Sequence, residues 1–238
     1  MLELPKLSGL LVSLAIFSGW LFHLSHLLST ELSVLHPAVL CGAILLQAFL
    51  NTGLFVTVHD AIHGLVCPTN RALNVLLGKL CATAYAFLPY RILATKHWLH
   101  HRYPVSAADP DFHGTKDASF LAWYLHFMAE YSGWKQFIQL ASAVGIASLV
   151  LQISPTNLVL FWAIPLLLSS LQLFYFGTYQ PHRGIELGYP HCARSQPLPW
   201  LLSLLACYHF GYHQEHHARP DVAWWALPAL YQANCRSD

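Results

Sequence analysis

Val34-Leu-His-Pro-Ala-Val-Leu-Cys-Gly-Ala-Ile-Leu-Leu-Gln-Ala-Phe-Leu-Asn-Thr-Gly-Leu-Phe-Val-Thr-Val58, followed without a break by His59-Asp60-Ala61-Ile62-His63, decides the fold. The first part carries no Asp, Glu, Lys or Arg, and its length meets the roughly 20 apolar residues that a helix needs to cross a hydrocarbon core. The second part places two imidazoles four residues apart, on one face of a helix. A membrane span that delivers paired histidines to an interface is the unit from which the rest of the chain is read. Three more uncharged runs, Leu7–Leu28, Phe137–Ile153 and Leu158–Phe176, meet the same test. Turn signals flank them, such as Ser154-Pro155-Thr156-Asn157 between the last two. Leu73–Tyr90 is interrupted by Gly78, Lys79 and Pro89, and Leu198–Phe210 is short, so both are read as interfacial or partly inserted helices.

The composition agrees. Of 238 residues 55% are hydrophobic and 10% charged, against about a quarter charged in an ordinary soluble domain. A net charge of +1 gives no reason to expect nucleic acid as a partner. The six cysteines, at 41, 67, 81, 192, 207 and 235, show no C-x-x-C pair and read as small apolar fillers. The first apolar run is too long for the core of a cleavable signal peptide.

Charge orients the spans. The hairpin tips 29–33 and 154–157 contain no Lys or Arg, and all 12 basic residues fall in the N-terminal tip, in 59–136 or in 177–238. Basic segments stay on the cytoplasmic side, which gives four spans (7–28, 34–58, 137–153, 158–176) and a cytoplasmic cap made of 59–136 and 177–238. The expected architecture is a single all-α integral membrane domain over residues 1–238.

The 16 histidines outnumber the 12 Lys and Arg, and eight of them form three clusters. These are His59/His63, His97/His100/His101 and His213/His216/His217, all on the expected cytoplasmic side. Positions i, i+3 and i+4 share a helix face, so each cluster aims its rings together. Eight imidazoles exceed what one tetrahedral ion takes and imply two ions, although imidazole by itself suits iron, copper, nickel and zinc alike. Set against this, His23, His26 and His36 read as polar residues meeting headgroups, and His113, His126 and His191 as surface residues or neighbours of the site.

The order H-x-x-x-H, H-x-x-H-H, H-x-x-H-H resembles the membrane fatty-acid desaturase and hydroxylase superfamily. Several strings are similar, more narrowly, to the carotenoid (β-carotene) ketolases. They are Asn51-Thr-Gly-Leu-Phe55, His59-Asp-Ala-Ile-His-Gly64, Lys96-His-Trp-Leu-His-His101, Asp109-Pro-Asp-Phe-His113, Leu171-Gln-Leu-Phe-Tyr-Phe-Gly-Thr-Tyr179, Pro181-His-Arg183 and Cys207-Tyr-His-Phe-Gly-Tyr-His-Gln-Glu-His-His217. The likeness covers roughly residues 45–230, and the Phe-Gly-Thr-Tyr and Tyr-His-Phe-Gly-Tyr-His strings carry the ketolase branch.

This resemblance implies two non-haem iron ions and O₂ as co-substrate. The implied reaction is a double hydroxylation at the C4 methylene of β-ionone rings, followed by dehydration to the ketone, giving echinenone and canthaxanthin from β-carotene. It also implies a ninth histidine ligand. His182, directly after the last span, is the preferred one, and His209, four residues before His213, competes. Asp60, and Asp109 or Asp111, are expected to hold the far nitrogens of ligand imidazoles, with His209 and Glu215 also beside the site. A Glu215–Arg219 ion pair is an equal expectation.

Aromatic residues near the boxes are candidates to line an apolar tunnel for the polyene. Phe55, Tyr85, Phe87, Trp98, Phe112, Phe176, Tyr179 and Phe210 lead that set, with Trp123, Phe174 and Tyr175 behind them. No Gly-rich dinucleotide fingerprint and no redox domain is evident, so a separate electron donor of ferredoxin type is expected on the basic cap. The expected partners are thus a carotenoid, that donor and membrane lipid. The alternatives weighed are a carotenoid hydroxylase or acyl-lipid desaturase of the same superfamily, and a membrane metal-binding or transport protein. A transporter should place ionisable groups near the bilayer midplane, and these spans carry no acids or bases.

Overall fold

The computed structural model describes residues 8–114, 119–185, 188 and 190–236; the expected first residue of span one, Leu7, lies outside the described residues. Every regular element among the described residues is helical. Helix α1 is Ser8–Leu28 and α2 is Pro37–Ile62. Helix α2 starts where Pro37 cannot donate a hydrogen bond, and the His36 ring accepts from the Ala38 amide as its cap. Helix α3 (Arg71–Ala86), capped by Asn70, bends by 101° into α4 (Tyr90–Arg102) at Phe87, which takes a left-handed conformation. Helix α5 is Phe120–Tyr131, and α6 is Trp134–Gly145 continued by a π-turn to Val150. The long helix α7 is Pro155–His182, and three short helices follow: α8 (Trp200–Cys207), α9 (His213–Ala218) and α10 (Leu227–Asn234).

Two contacts fix which ends lie together. Gly9 at the start of α1 packs on the backbone of Leu65 and Val66, just past the end of α2. The Asn157 amide donates to the carbonyls of Leu27, Leu28 and Thr30, which ties the start of α7 to the end of α1. At the other end, α2 finishes with His59 in its last turn and His63 as its C-cap, and α7 finishes in His182. Helices α1, α2 and α7 therefore each have one end at the histidines and one at the opposite pole.

Helices α3 and α4 form a bent pair. Asn74 near the start of α3 donates to the Ala61 carbonyl, while His97 on α4 comes within 2.7 Å of His63, so both outer ends return to the same pole. The bend is close-packed at Gly78, where an added Cβ would collide with the Tyr90 ring and lie 2.8 Å from the Ala61 Cβ. Gly78→Val is expected to destabilise by about 1–3 kcal/mol through overpacking. The check is the thermal unfolding midpoint of the purified protein in detergent, and an unchanged midpoint would contradict this packing.

Helices α1, α2 and α7 are long and apolar enough to cross a membrane, or four spans if the bent pair counts as one. The expected fourth span, Phe137–Ile153, is not among the three. It lies on α6, which begins three residues earlier at Trp134 and ends at Val150, because Gln152 turns left-handed (φ 55°) to enter the Ser154–Pro155 corner. The resulting helix stops short of the C-terminal end of the apolar run that suggested it.

Polar side chains join the long helices where lipid offers no competing partner. Trp20 Nε1 donates to Asn51 Oδ1 (2.8 Å), and the Thr52 hydroxyl donates to Gln172 Oε1 (2.6 Å). Such bonds average below about 1 kcal/mol, so they set register more than stability. Two π-turns in α7, Val159–Ala163 and Tyr175–Tyr179, each precede a proline, Pro165 and Pro181. Proline lacks the N–H and crowds the carbonyl four residues back, and the wider turn removes that conflict. The second π-turn ends three positions before His182.

Candidate metal centre

Four stretches of backbone meet at the histidine pole: the end of α2, α4, the end of α7, and α9. Their rings form two groups. His59, His63, His97, His101 and His216 make one, and His100, His182, His213 and His217 the other, with the ligand-capable atoms of each group within 4.8 Å of one another. All nine histidines expected as ligands are in these two groups. Helix α4 divides its three between them, because His97 and His101 are one turn apart while His100 faces the neighbouring sector.

The facing atoms are the Nε2 nitrogens. His63 and His97 approach to 2.7 Å, His101 and His216 to 2.9 Å, His59 and His216 to 3.0 Å. In the second group, His217 lies 3.1 Å from both His100 and His213. Two of the far nitrogens are firmly held, while that of His63 is buried without a hydrogen-bond partner. His100 Nδ1 donates to both oxygens of Asp109 (3.0 and 3.1 Å), which also accept from the Val105 and Asp111 amides. His182 Nδ1 donates to the Cys192 carbonyl (2.8 Å), and its buried Nε2 has no hydrogen-bond partner.

An imidazole that spends its proton at Nδ1 turns a lone pair inward at Nε2. Converging lone pairs repel unless a cation sits among them, so the donor set fits metal ions. Protonation does not serve instead at most of these rings; His100 is the exception, where burial lowers the value but the hydrogen bond to Asp109 and the nearby Asp111 carry it above the ordinary one. Burial, then the neighbouring histidines, hold His213, His216 and His217 well below the ordinary histidine value, and burial holds His63 at about 4.

The acidic residues behave less uniformly than expected. Asp109 holds His100. Asp111 accepts from the Tyr131 hydroxyl and lies 3.8 Å from His100 Nδ1. Asp60 approaches His59 Nδ1 at 3.3 Å and lies 3.5 Å from the Trp224 amide. Glu215 does not pair with Arg219; it accepts from the Ser195 hydroxyl, while Arg219 makes a two-pronged pair with Asp221 (2.8 and 2.7 Å). Sequence proximity favours the Asp221 pair, because both residues lie just beyond the end of α9.

His209 is outside both groups. Tyr208 and His209 are left-handed (φ 46° and 63°), so no helix runs from His209 into His213 and the expected shared face does not form. Its ring is buried among Trp200, Tyr212 and Trp224, with Nδ1 3.0 Å from the Ser203 hydroxyl. His113 and His126 face each other (ring centroids 4.9 Å), apart from the nine.

Two cavities lead to this centre. An inner chamber of about 60 Å³ is lined by His59, His97, His100 and His213 together with Asp111, Thr178 and Phe210. An apolar groove of about 510 Å³ runs along α6 and α7, past Leu140, Val144, Val159 and Trp162. Phe55, Leu93, Phe127, Tyr131 and Leu173 line both and form the throat between them.

Of the aromatic candidates, Phe55, Tyr85 and Phe210 line one or both cavities, and the Phe210 ring packs on His59 (4.8 Å). The others are placed elsewhere. Trp98, beside His97 but turned outward, covers His63 from outside (4.9 Å). Phe112 and Tyr179 pack on Trp123 in a separate aromatic cluster with Phe174. Phe176 packs against the main core, and Phe87 caps α3. Sequence reading missed Leu93, Phe127, Tyr131 and Leu173. Only the turn spacing of Phe127 and Tyr131 on α5 hinted at a shared face.

Comparison with known proteins gives the same picture. The fatty acid desaturase family model matches residues 35–142 and 129–237. A β-carotene ketolase of Paracoccus sp. (strain N81106 / MBIC 01143) is 38% identical over 226 residues, 93% of this chain and 91% of that protein. A β-carotene 4-ketolase 3 of Haematococcus lacustris is 39% identical over 86% of this chain and 65% of its own length. A zeaxanthin 4-ketolase of Chlamydomonas reinhardtii is 35% identical over 94% of this chain and 51% of its own length. A match over most of both chains, around clustered histidines at the end of apolar helices, places the protein: it belongs to the fatty acid desaturase family, on the carotenoid ketolase branch.

Proposed function

We propose that the protein is a β-carotene 4-ketolase, an O₂-dependent oxygenase that holds two non-haem irons between its nine clustered histidines. The observation that carries this reading is the apolar groove that ends, through one narrow throat, against those histidines. A rigid polyene needs such a path, and only its terminal ring has to reach the metals. The names of the relatives, β-carotene ketolase and zeaxanthin 4-ketolase, support the substrate class.

His59, His63, His97, His101 and His216 would hold one iron and His100, His182, His213 and His217 the other. Bound there, the irons would supply the activation of O₂ and the removal of hydrogen from the allylic C4 carbon. The chain supplies the rest. Asp109 fixes the proton of His100 at Nδ1 and the Cys192 carbonyl fixes that of His182, so both rings keep Nε2 free for metal. Phe55, Leu93, Phe127 and Leu173 close around the ring and exclude water from the chamber. The Tyr131 hydroxyl, tied to Asp111, is the polar group of the throat. Two turnovers at one carbon give a gem-diol, which loses water to the ketone.

Four spans accompany this proposal, with α6 as the fourth. Its helical run of 17 residues, from Trp134 through the π-turn to Val150, is at the lower edge of the roughly 17–25 that suffice. The histidine pole then faces the cytoplasm, where a ferredoxin-type donor supplies electrons. The test is pigment analysis of a β-carotene-producing bacterium expressing this chain, by chromatography with mass detection. Echinenone and canthaxanthin are the expected new products. Unchanged β-carotene, with iron-loaded protein in the membrane, would move the assignment to another lipid substrate of the family.

A further inference from the structure

A third hollow, of about 660 Å³, opens between the bend of α3 and α4 and the start of α6. Its lining includes three cations, Lys79, Arg91 and Lys135, and three amphipathic aromatics, Tyr90, Tyr131 and Trp134. Glu130 is the one acid of that lining, and it is taken by Lys96 at 2.7 Å. Among the described residues, Lys79, Arg91 and Lys135 form no ion pair. Lys135 Nζ instead lies 5.6 Å from the centroid of the Trp134 ring. Three uncompensated cations around one concavity make a site for an anion.

We propose that this hollow binds the phosphate headgroup of an anionic membrane phospholipid at the mouth of the apolar groove. Position decides for lipid. Lys135 lies two positions before the uncharged run 137–153, and Leu80, Ile92, Trp134 and Phe137 around the hollow are exposed. Basic residues beside Trp and Tyr at the end of an apolar helix mark the headgroup layer, and basic pockets between membrane helices take anionic headgroups. The hollow also shares Leu88, Tyr131, Ser132 and Gln136 with the apolar groove. A headgroup seated among the cations thus has an apolar channel beside it for an acyl chain. An acidic protein partner would meet, beside the exposed cations, the exposed apolar side chains of Leu80, Ile92, Trp134 and Phe137, which belong in lipid. Arg91 offers a planar fork to phosphate oxygens, and the lysines offer point charges. The lipid would frame the entrance by which a polyene enters the groove. This inference needs only the membrane setting, so it stands or falls separately from the ketolase reading.

The test counts retained lipids by native mass spectrometry. Full-length, metal-loaded protein is purified into detergent micelles doped with equal phosphatidylglycerol and phosphatidylcholine. Severalfold preferential retention of phosphatidylglycerol is expected, and K79Q/R91Q/K135Q should lose that preference while still retaining phosphatidylcholine. Should the triple variant fold poorly, R91Q alone is read the same way. Independently, brominated phosphatidylglycerol should quench tryptophan fluorescence more than brominated phosphatidylcholine does, and the excess should vanish in W134F. Equal retention of the two lipids by the unaltered protein overturns the proposal, as does an undiminished preference in R91Q or the triple variant. Millimolar inorganic phosphate abolishing the preference as fully as the substitutions would assign the cations to free phosphate and overturn the lipid site.

Discussion

His216→Ala should reduce ketone formation by more than ~100-fold, because loss of a ligand should cost more than the roughly 10–100-fold typical of its supporting partners. His216 has the widest reach in its group. Its Nε2 lies 3.0 Å from that of His59 and 2.9 Å from that of His101, so it joins residues from two other helices around one point. Removing it leaves four imidazoles in that group and opens a buried space that water can enter. Iron content of the purified protein should fall together with product.

Two comparisons make the prediction specific. Asp109→Asn keeps the shape but weakens the hold on His100 Nδ1, so metal affinity should fall by an intermediate amount, about 10–100-fold. His209→Ala removes a histidine equally buried but outside both groups, and iron content should survive. Full ketolation and full iron in His216→Ala would sink the ligand assignment. Lost iron in His209→Ala at normal membrane abundance would show that the grouping is incomplete.

The contrast between His216 and His209 also shows what the sequence could tell. Spacing along a helix is local information, and it located the ring sets on α2, α4 and α9. Whether His209 belongs with His213 depended on the backbone between them. Two consecutive left-handed residues at Tyr208 and His209 break the helix there, and neither is a glycine that would have announced the break. His182 is the opposite case. It carries no box around it, and it joins the second group just after a π-turn and Pro181 that no periodicity reveals.

The spans were legible to the same degree. Apolar runs marked α1, α2 and α7 directly, since a helix that must cross hydrocarbon cannot carry charge over such a length. The α6 run was overextended at its C-terminal end because Leu151 and Ile153 are apolar even though Gln152 turns the chain. Aromatic character was the weakest guide of all. A ring beside a histidine box in sequence can face the chamber, like Phe210, or shield the cluster from outside, like Trp98. The throat escaped notice because its walls come from α2, α4, α5 and α7, and only tertiary packing brings those helices together.

That throat carries the second large effect. Leu173 lines both the groove and the inner chamber, is buried, and lies nine positions before His182 on α7. Leu173→Trp should narrow the passage and hold the terminal ring short of the histidines. A displacement of about 1 Å at a reacting carbon can cost ~10²-fold, so ketone output should drop by at least ~10-fold. Iron content should stay near normal, because no ligand has been touched. Space can be returned from the opposite wall. Phe127 on α5 lines the same two cavities, and Phe127→Ala in the Leu173→Trp background should recover part of the activity. Overpacking makes lower stability an expected side effect, so iron and membrane abundance are measured in every variant. Loss of activity with iron retained, and partial rescue by Phe127→Ala, would establish the throat as the path of the substrate. Unimpaired ketolation in Leu173→Trp would mean that the ring reaches the metals by another route, and the groove between α6 and α7 would then need a different occupant.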